Sequence, residues 1–452
     1  MVPNLQETLL THRPHIHGFR LLIASLLAGL AVACPAQQPT NIATAPISDD
    51  SPDATLNMLR AAWHFARPLQ AMAAARAASA VPANTLVYQA SRTDLRPLGI
   101  TLPNTDLVHA VAWLDLSTAP VILNMPALAG RYHSVAISSM TTDLLALLGT
   151  RTGSQGGRFA LVSTSYTGPM PADTTPLRLA CTACRLVARV LVKGPDDLET
   201  ATVALKAITL EAESTPAALR PLPARPDAAT WLALVNNVIA FEGEASAIGQ
   251  KAAQFKGLSA PVELWAKALP ALRQEFDEGL ASAFDRINGW TYPGINIADA
   301  AADDLFRAQM AHAAPDALPR VEAMELQSRE DGSGQPLDGS KAYRLRLPYN
   351  LPIGGFWSVT MYQLGKNGLP SLVSNPLNRF AVGDRSDHLR ADRNGSTELF
   401  IQTGKPQGER IVNWLPAPQG RFGLVFRAYL PKSEMLDGSF RLPAVIAAEP
   451  IP

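Results

Sequence analysis

The chain has 452 residues, with 39 Lys+Arg against 39 Asp+Glu and 47% apolar residues. That length allows about two or three domains with sizeable cores. The neutral balance, with no basic tract, leaves no electrostatic basis for nucleic-acid binding.

The N-terminus reads as an address. His12, Arg13, His15, His17 and Arg20 precede the apolar run LLIASLLAGLAVA, residues 21–33. The run is shorter than the ~20 residues a membrane-spanning helix needs. It fits the hydrophobic region of a secretory signal peptide better than it fits a buried core helix. Because the run ends in Ala-Val-Ala-Cys, residues 1–33 are expected to be cleaved and Cys34 lipidated, with plain export as the alternative. Pro35, rather than Asp, follows the cysteine and fits an outer-membrane lipoprotein. Residues 34–52 then form a polar, Pro-containing tether. The expected location is the periplasm or outer membrane, with the lipid anchor as the membrane contact. Loss of residues 1–34 removes two Arg and one Glu and leaves a net charge of about −1.

Residues 53–212 are expected to form a β-rich N-terminal domain behind one helix. Ser51-Pro52-Asp53 has the composition of a helix start. Leu56, Leu59, Trp63 and Ala66 recur at helical spacing, and Pro68 is expected to end or kink that helix. From about residue 85, short apolar runs alternate with Gly, Pro, Asn and Asp, as in a sandwich or barrel. LVHAVAWLDL, residues 107–116, is apolar on both faces and reads as a buried strand. Cys181 and Cys184, in CTAC, form a pair that an oxidising compartment would close as a structural disulfide. A redox role would need a helix after the pair, and RLVARVLV reads as strand. A zinc site would need a second pair.

Residues 213–325 are expected to be a Pro-rich linker, 214–227, followed by helices. Trp231, Leu234, Val235 and Val238 share one helix face. Leu269, Leu272, Phe276, Leu280 and Phe284 share another, and residues 297–312 suit a third helix. Residues 326–447 return to strands. Tyr343, Leu345 and Leu347 alternate with Arg344 and Arg346; Trp357, Val359 and Met361 oppose Phe356, Ser358, Thr360 and Tyr362. The fold class is therefore α+β, mainly β: two β-sandwich or jelly-roll-like domains joined by a helical segment.

The blocks GQPLDGSKAYRLRLP, LPIGGFWSVTMY, NPLNRFAVGDR, NWLPAPQGRFGLVFRAYLPK and LDGSFRLPAV resemble domain-of-unknown-function family 1214. PNTDLVHAVAWLDLSTAPVILNMP, GRYHSVAISSMTTDLLALLGTRTGS and RLVARVLVKGPDDLETA resemble family 1254. The resemblance covers roughly residues 55–212 and 325–447 and implies β domains with helices packed on them. It implies no settled activity. Leu107 and His109 stand where that family has Thr and Tyr, and Asn394 stands where an Asp is usual.

Several residues are candidates for chemistry, although no HExxH, GxSxG, P-loop or GxGxxG motif is present. Asp106 is a candidate base and Asn104 a candidate ligand contact, or both serve a turn. His133 flanks Arg131 and Tyr132; His109 reads as a hydrogen-bonded core residue. Arg131 and Arg427 lie in apolar strands, so each needs a carboxylate or a bound anion. Asp384, Asp106 and Asp115 are the candidate partners. Arg151, in RTGSQGG, belongs to a turn or an anion site. Asp392, Asn394, Ser396 and Glu398 read as a plain turn. Trp414 in NWLPAP, which Asn413 is expected to tie down, packs near Trp357 or Tyr362 or walls a pocket with Arg427 at its base.

Two functions follow. One is an exported protein binding a small polar or anionic ligand in a cleft between the β domains. The other is a hydrolase- or lyase-type envelope enzyme acting on a small molecule or glycan fragment with Asp106 and Arg131, and His133 is a further catalytic candidate; the partner in either case is a small-molecule or glycan ligand. No motif demands a metal or another cofactor, and an oligomer is compatible with the sequence.

Overall fold

Among the described residues, nine strands build the N-terminal half: β1 (Val87–Tyr88), β2 (Leu107–Asp115), β3 (Val121–Met125), β4 (His133–Ser139), β5 (Leu144–Gly149), β6 (Gly157–Ser163), β7 (Thr175–Leu179), β8 (Ala183–Leu191) and β9 (Thr209–Ala212). In this computed structural model the described residues are 52–78, 82–212 apart from 91, 92, 94, 96, 97, 99 and 101, then 227, 229–231, 233–234, 247–255, 262–292 apart from 283, 304–365 apart from 314, and 370–449. The export signal, Cys34, the tether to residue 51 and residues 214–226 lie outside them, as do Val235 and Val238.

The nine strands form two sheets, ordered β1-β2-β8-β4-β5 and β7-β6-β3-β9. The first places Val108, Ala110, Ala112 and Leu114 of β2 beside Cys184, Leu186, Ala188 and Val190 of β8. These meet Val121 and Leu123 of β3 and Leu161 of β6 in one core, as two sheets of a sandwich must to shed water from their inner faces. Cys181 and Cys184 lie at disulfide distance with their Cα atoms 6.4 Å apart. A strand, not a helix, follows them.

The C-terminal half uses β10 (Asp285–Ile287), β11 (Trp290–Tyr292), β12 (Ala323–Ser328), β13 (Ala342–Leu347), β14 (Trp357–Leu364), β15 (Pro370–Ser371), β16 (Ala381–Gly383), β17 (Thr397–Gln402), β18 (Trp414–Pro416), β19 (Phe422–Tyr429) and β20 (Ile446–Ala448). One sheet runs β10-β11-β12-β19-β14-β15, with β16 also on β14; the other runs β18-β17-β13-β20. Tyr343, Leu345 and Leu347 face inward against Trp357, Val359, Met361, Leu424 and Phe426, as their alternation predicts. The sandwich draws strands from Asp285 onward, so it reaches back beyond residue 326.

Helices Pro52–Ala78, Ala247–Ala253, Val262–Ser282 and Asp304–Ala313 supply the joining segment. Trp63, Leu69, Met72, Trp231, Leu234, Trp265, Leu269, Leu272 and Phe276 share a core there, and Trp113 of β2 joins it. The first helix continues through Pro68 rather than ending there. Leu69 and Met72, fully buried just beyond the proline, supply packing that offsets the lost hydrogen bond and ring clash. Among the described residues no helix is long and apolar enough to cross a membrane.

Candidate functional site

Strand register gives the outer face of the β1-β2-β8-β4-β5 sheet an unusual polar row. His109 pairs with Arg189, and Arg189 pairs on its other side with Ser134. Gln89 continues the row, its backbone N–H bonded to the His109 carbonyl 3.0 Å away. The row below is apolar: Leu107 and Leu191, joined by Tyr132. These three pack on Phe356 and Tyr429 of the C-terminal sandwich. A face that an isolated sheet would expose to water is thus covered by the other domain.

The C-terminal sheet presents its own polar row, Glu325, Arg427 and Ser358, on adjacent strands β12, β19 and β14. The two rows meet at the seam. Burial, then Arg189 of its own sheet and Arg427 of the other, hold the His109 imidazole down to about 3, so it is neutral near pH 7. Gln89 Oε1 accepts from the His109 backbone N–H at 2.7 Å and lies 3.1 Å from Nδ1. Arg427, fully buried, donates to Glu325 at 3.1 Å, to Thr360 at 3.0 Å and to the Tyr362 hydroxyl at 3.0 Å. Burial pushes the Tyr362 phenol up to about 12.

Charged clasps tie the halves together. Asp106 accepts from the Ser358 hydroxyl at 2.5 Å and from Arg385 Nη2 at 2.9 Å. Arg385 also donates to the Val192 carbonyl at 3.0 Å and lies over the Phe356 ring at 4.3 Å. On the other side Glu322, buried, accepts from the Tyr132 hydroxyl at 2.7 Å and from Arg151 Nε at 2.6 Å. Burial, reinforced by Glu322, holds the Tyr132 phenol well above its ordinary range. Arg185 grips Asp316 with two nitrogens, at 2.6 and 2.8 Å.

An open cleft of about 410 Å³ lies where the halves meet, lined by Leu191 and Lys193 from one and by Gly355, Phe356, Asp384, Arg385 and Asp387 from the other. Burial raises the Asp384 carboxyl above its ordinary value, against the pull of Arg385. The lining therefore offers an aromatic edge, two cations and two acidic groups.

The expected site residues separate. Arg131 is engaged bidentately by Asp197, at 2.5 and 2.7 Å, rather than by Asp106, Asp115 or Asp384. That bond raises the Arg131 pKa and lowers that of Asp197. Arg427 takes Glu325. Asn104 Oδ1 accepts the backbone N–H groups of Asp106 and Leu107, both at 3.1 Å, as a turn residue does. Asp106 has both oxygens engaged, an arrangement suited to holding two domains rather than to taking a proton from a substrate. His133 is buried with Nδ1 2.9 Å from the Arg131 carbonyl, and burial lowers its pKa. It lies on the face that Val135 and Ile137 turn to the sandwich core, away from Ser134. Asp106, Arg131 and His133 thus form no common catalytic cluster.

Trp357 and Trp414 wall no pocket above Arg427. Trp357 points into the sandwich core and stacks on Phe426, whereas Arg427 projects from the opposite face. Trp414 is buried and donates to the Gln402 carbonyl at 2.8 Å. Asn413 accepts from the Arg390 N–H and donates to the Arg390 and Glu398 carbonyls, tying the segment as expected. Asp392 accepts the N–H groups of Asn394 and Ser396 in a plain turn. No group of three His, Cys, Asp or Glu placed to hold a metal ion occurs among the described residues.

Arg189, Ser134, Arg385, Lys193 and Glu322 escaped the sequence reading. Arg185 and Arg189 carry a legible signal: with Val187 and Leu191 they alternate on one face of a strand whose other face is wholly apolar.

Residues 83–212 match the family described as Protein of unknown function (DUF1254), and residues 322–433 match Protein of unknown function (DUF1214). No curated protein matches the chain. Among solved structures, the VPA0106 protein from Vibrio parahaemolyticus is 22% identical with a TM-score of 0.71, over 87% of this chain and 100% of its own, which shows a shared fold. An uncharacterised protein from Burkholderia cenocepacia is 12% identical with a TM-score of 0.46, over 88% of this chain and 96% of its own.

Proposed function

In a chain that carries a DUF1254 domain ahead of a DUF1214 domain, we propose an exported binding protein of the cell envelope that takes a small polar ligand where the two domains meet. The carrying observation is the open cleft to which both domains contribute charged side chains, Lys193 from one and Asp384, Arg385 and Asp387 from the other. Arg385 is held in place by Asp106 and the Val192 carbonyl, so its guanidinium meets a ligand already oriented. Cations and carboxylates in one lining suit a ligand with both polar signs, such as a zwitterion or a polyhydroxylated fragment. The enzyme reading lacks support, because Asp106 and Arg131 are each engaged by protein partners.

Native mass spectrometry of the protein purified from its own cells tests the binding reading. A stoichiometric small molecule is expected, and it should be lost in Lys193→Glu while the melting temperature holds. Retention of that molecule in Lys193→Glu and in Asp387→Lys would place binding elsewhere. Export is tested separately: Cys34→Ala should move the protein from the membrane fraction to the soluble one.

A further inference from the structure

The polar row at the seam contains a charge imbalance. Buried or largely buried guanidiniums at this interface include Arg185, Arg189, Arg385 and Arg427. Arg385 is matched by Asp106, Arg427 by Glu325, and Arg185 by both oxygens of Asp316. Arg189 is 7% exposed and donates through Nη2 to the Asp316 backbone carbonyl at 2.8 Å. Its Nη1 is buried without a hydrogen-bond partner among the described residues. Directly across the ladder, Ser134 is 1% exposed and its hydroxyl lies against the Tyr132 phenol. A buried guanidinium N–H without an acceptor, beside a buried hydroxyl on the neighbouring strand, is costly unless something accepts from it.

We infer that the seam holds an anion site in which a small monocarboxylate accepts hydrogen bonds from Arg189 Nη1 and the Ser134 hydroxyl. A positive charge with no carboxylate partner among the described residues fits a monoanion, and a planar carboxylate fits one guanidinium edge. His109 stands beside Arg189 in the row as a neutral neighbour, so it adds no second charge that would favour a dianion. The row reaches solvent at Glu325, whose side chain is 42% exposed. The site is separate from the open cleft, whose lining shares no residue with it.

The test is calorimetric titration of the purified, dialysed protein with sodium acetate and, in a parallel arm, sodium phosphate. Acetate is expected to bind at one site and raise the melting temperature, with phosphate binding weaker. Arg189→Met should lose acetate affinity by about tenfold or more, the worth of a charge-assisted hydrogen bond. Without acetate that variant should melt no lower than the parent, since a methionine of similar length removes an unpaired buried charge. Ser134→Ala, a smaller change, should weaken acetate binding while leaving the fold intact. Absence of acetate binding, preference for phosphate, or full acetate affinity in either variant would overturn the assignment. Lys193→Glu, which tests the cleft, should leave acetate affinity unchanged; its loss there would make the two sites one and overturn their separation.

Discussion

Arg385 of the C-terminal half reaches Asp106 of the N-terminal half, Nη2 to Oδ1, at 2.9 Å, and the Ser358 hydroxyl takes the other carboxylate oxygen. Asp106 is also the residue whose sequence context suggests proton transfer. An Asp at the mouth of a buried strand must be satisfied, and here the satisfaction comes from 252 and 279 residues away along the chain.

Asp106→Ala should therefore destabilise the protein by about 3 kcal/mol, because it strands a largely buried guanidinium and a hydroxyl. Urea denaturation followed by tryptophan fluorescence measures it. Trp113 reports on the N-terminal sheet and Trp357 on the C-terminal one. A cost below 1 kcal/mol would mean that the clasp does not hold the halves together.

Glu322→Leu should cost roughly 2–4 kcal/mol, since it removes the acceptor of both Tyr132 and Arg151 from a buried position. Arg151→Ala should cost as much or less, because the Tyr132 hydroxyl still donates to the carboxylate. A double-mutant cycle between positions 151 and 322 reads the pairwise term, expected to be about 1 kcal/mol or more. Strict additivity would contradict the clasp.

Acid sensitivity follows from His109. Its folded pKa lies near 3, below the unfolded value of 6.5. The unfolded chain therefore takes up a proton that the folded chain refuses. The stability linked to this group is complete above about pH 6.5 and falls as pH drops toward 3, by at most ~1.4 kcal/mol per pH unit. His109→Gln should flatten the stability profile between those values. An unchanged slope in that variant would show that other groups carry the acid response.

Asn413→Ala should cost about 2 kcal/mol or more, because three backbone groups, the Arg390 N–H and the Arg390 and Glu398 carbonyls, lose their partner. Trp414→Phe should cost about 1–2 kcal/mol through the lost bond to the Gln402 carbonyl. Neither should alter binding in the cleft or at Arg189, and thermal melts beside the titrations separate the two effects. A Trp414→Phe protein of full stability but altered binding would restore Trp414 to a ligand-contacting role.

The sequence by itself determined the mainly β class, the alternation of strands such as β13 and β14, the helical segment between the sandwiches and the anchoring of NWLPAP by Asn413. These depend on period, turn chemistry and local hydrogen bonding, all of which act over a few residues. The sequence also flagged Arg427 correctly as a buried cation requiring a partner. The partners were decided only by tertiary structure. Glu325 meets Arg427, Asp197 meets Arg131 and Arg385 meets Asp106 because strand register and domain docking bring them together, and no local pattern encodes either. Pro68 shows the same reason from the other side: a local rule for ending a helix lost to the packing of Leu69 and Met72. The polar seam around Arg189 exists only because one sheet's outer face is covered by the other domain, which turns residues that would face water into buried ones.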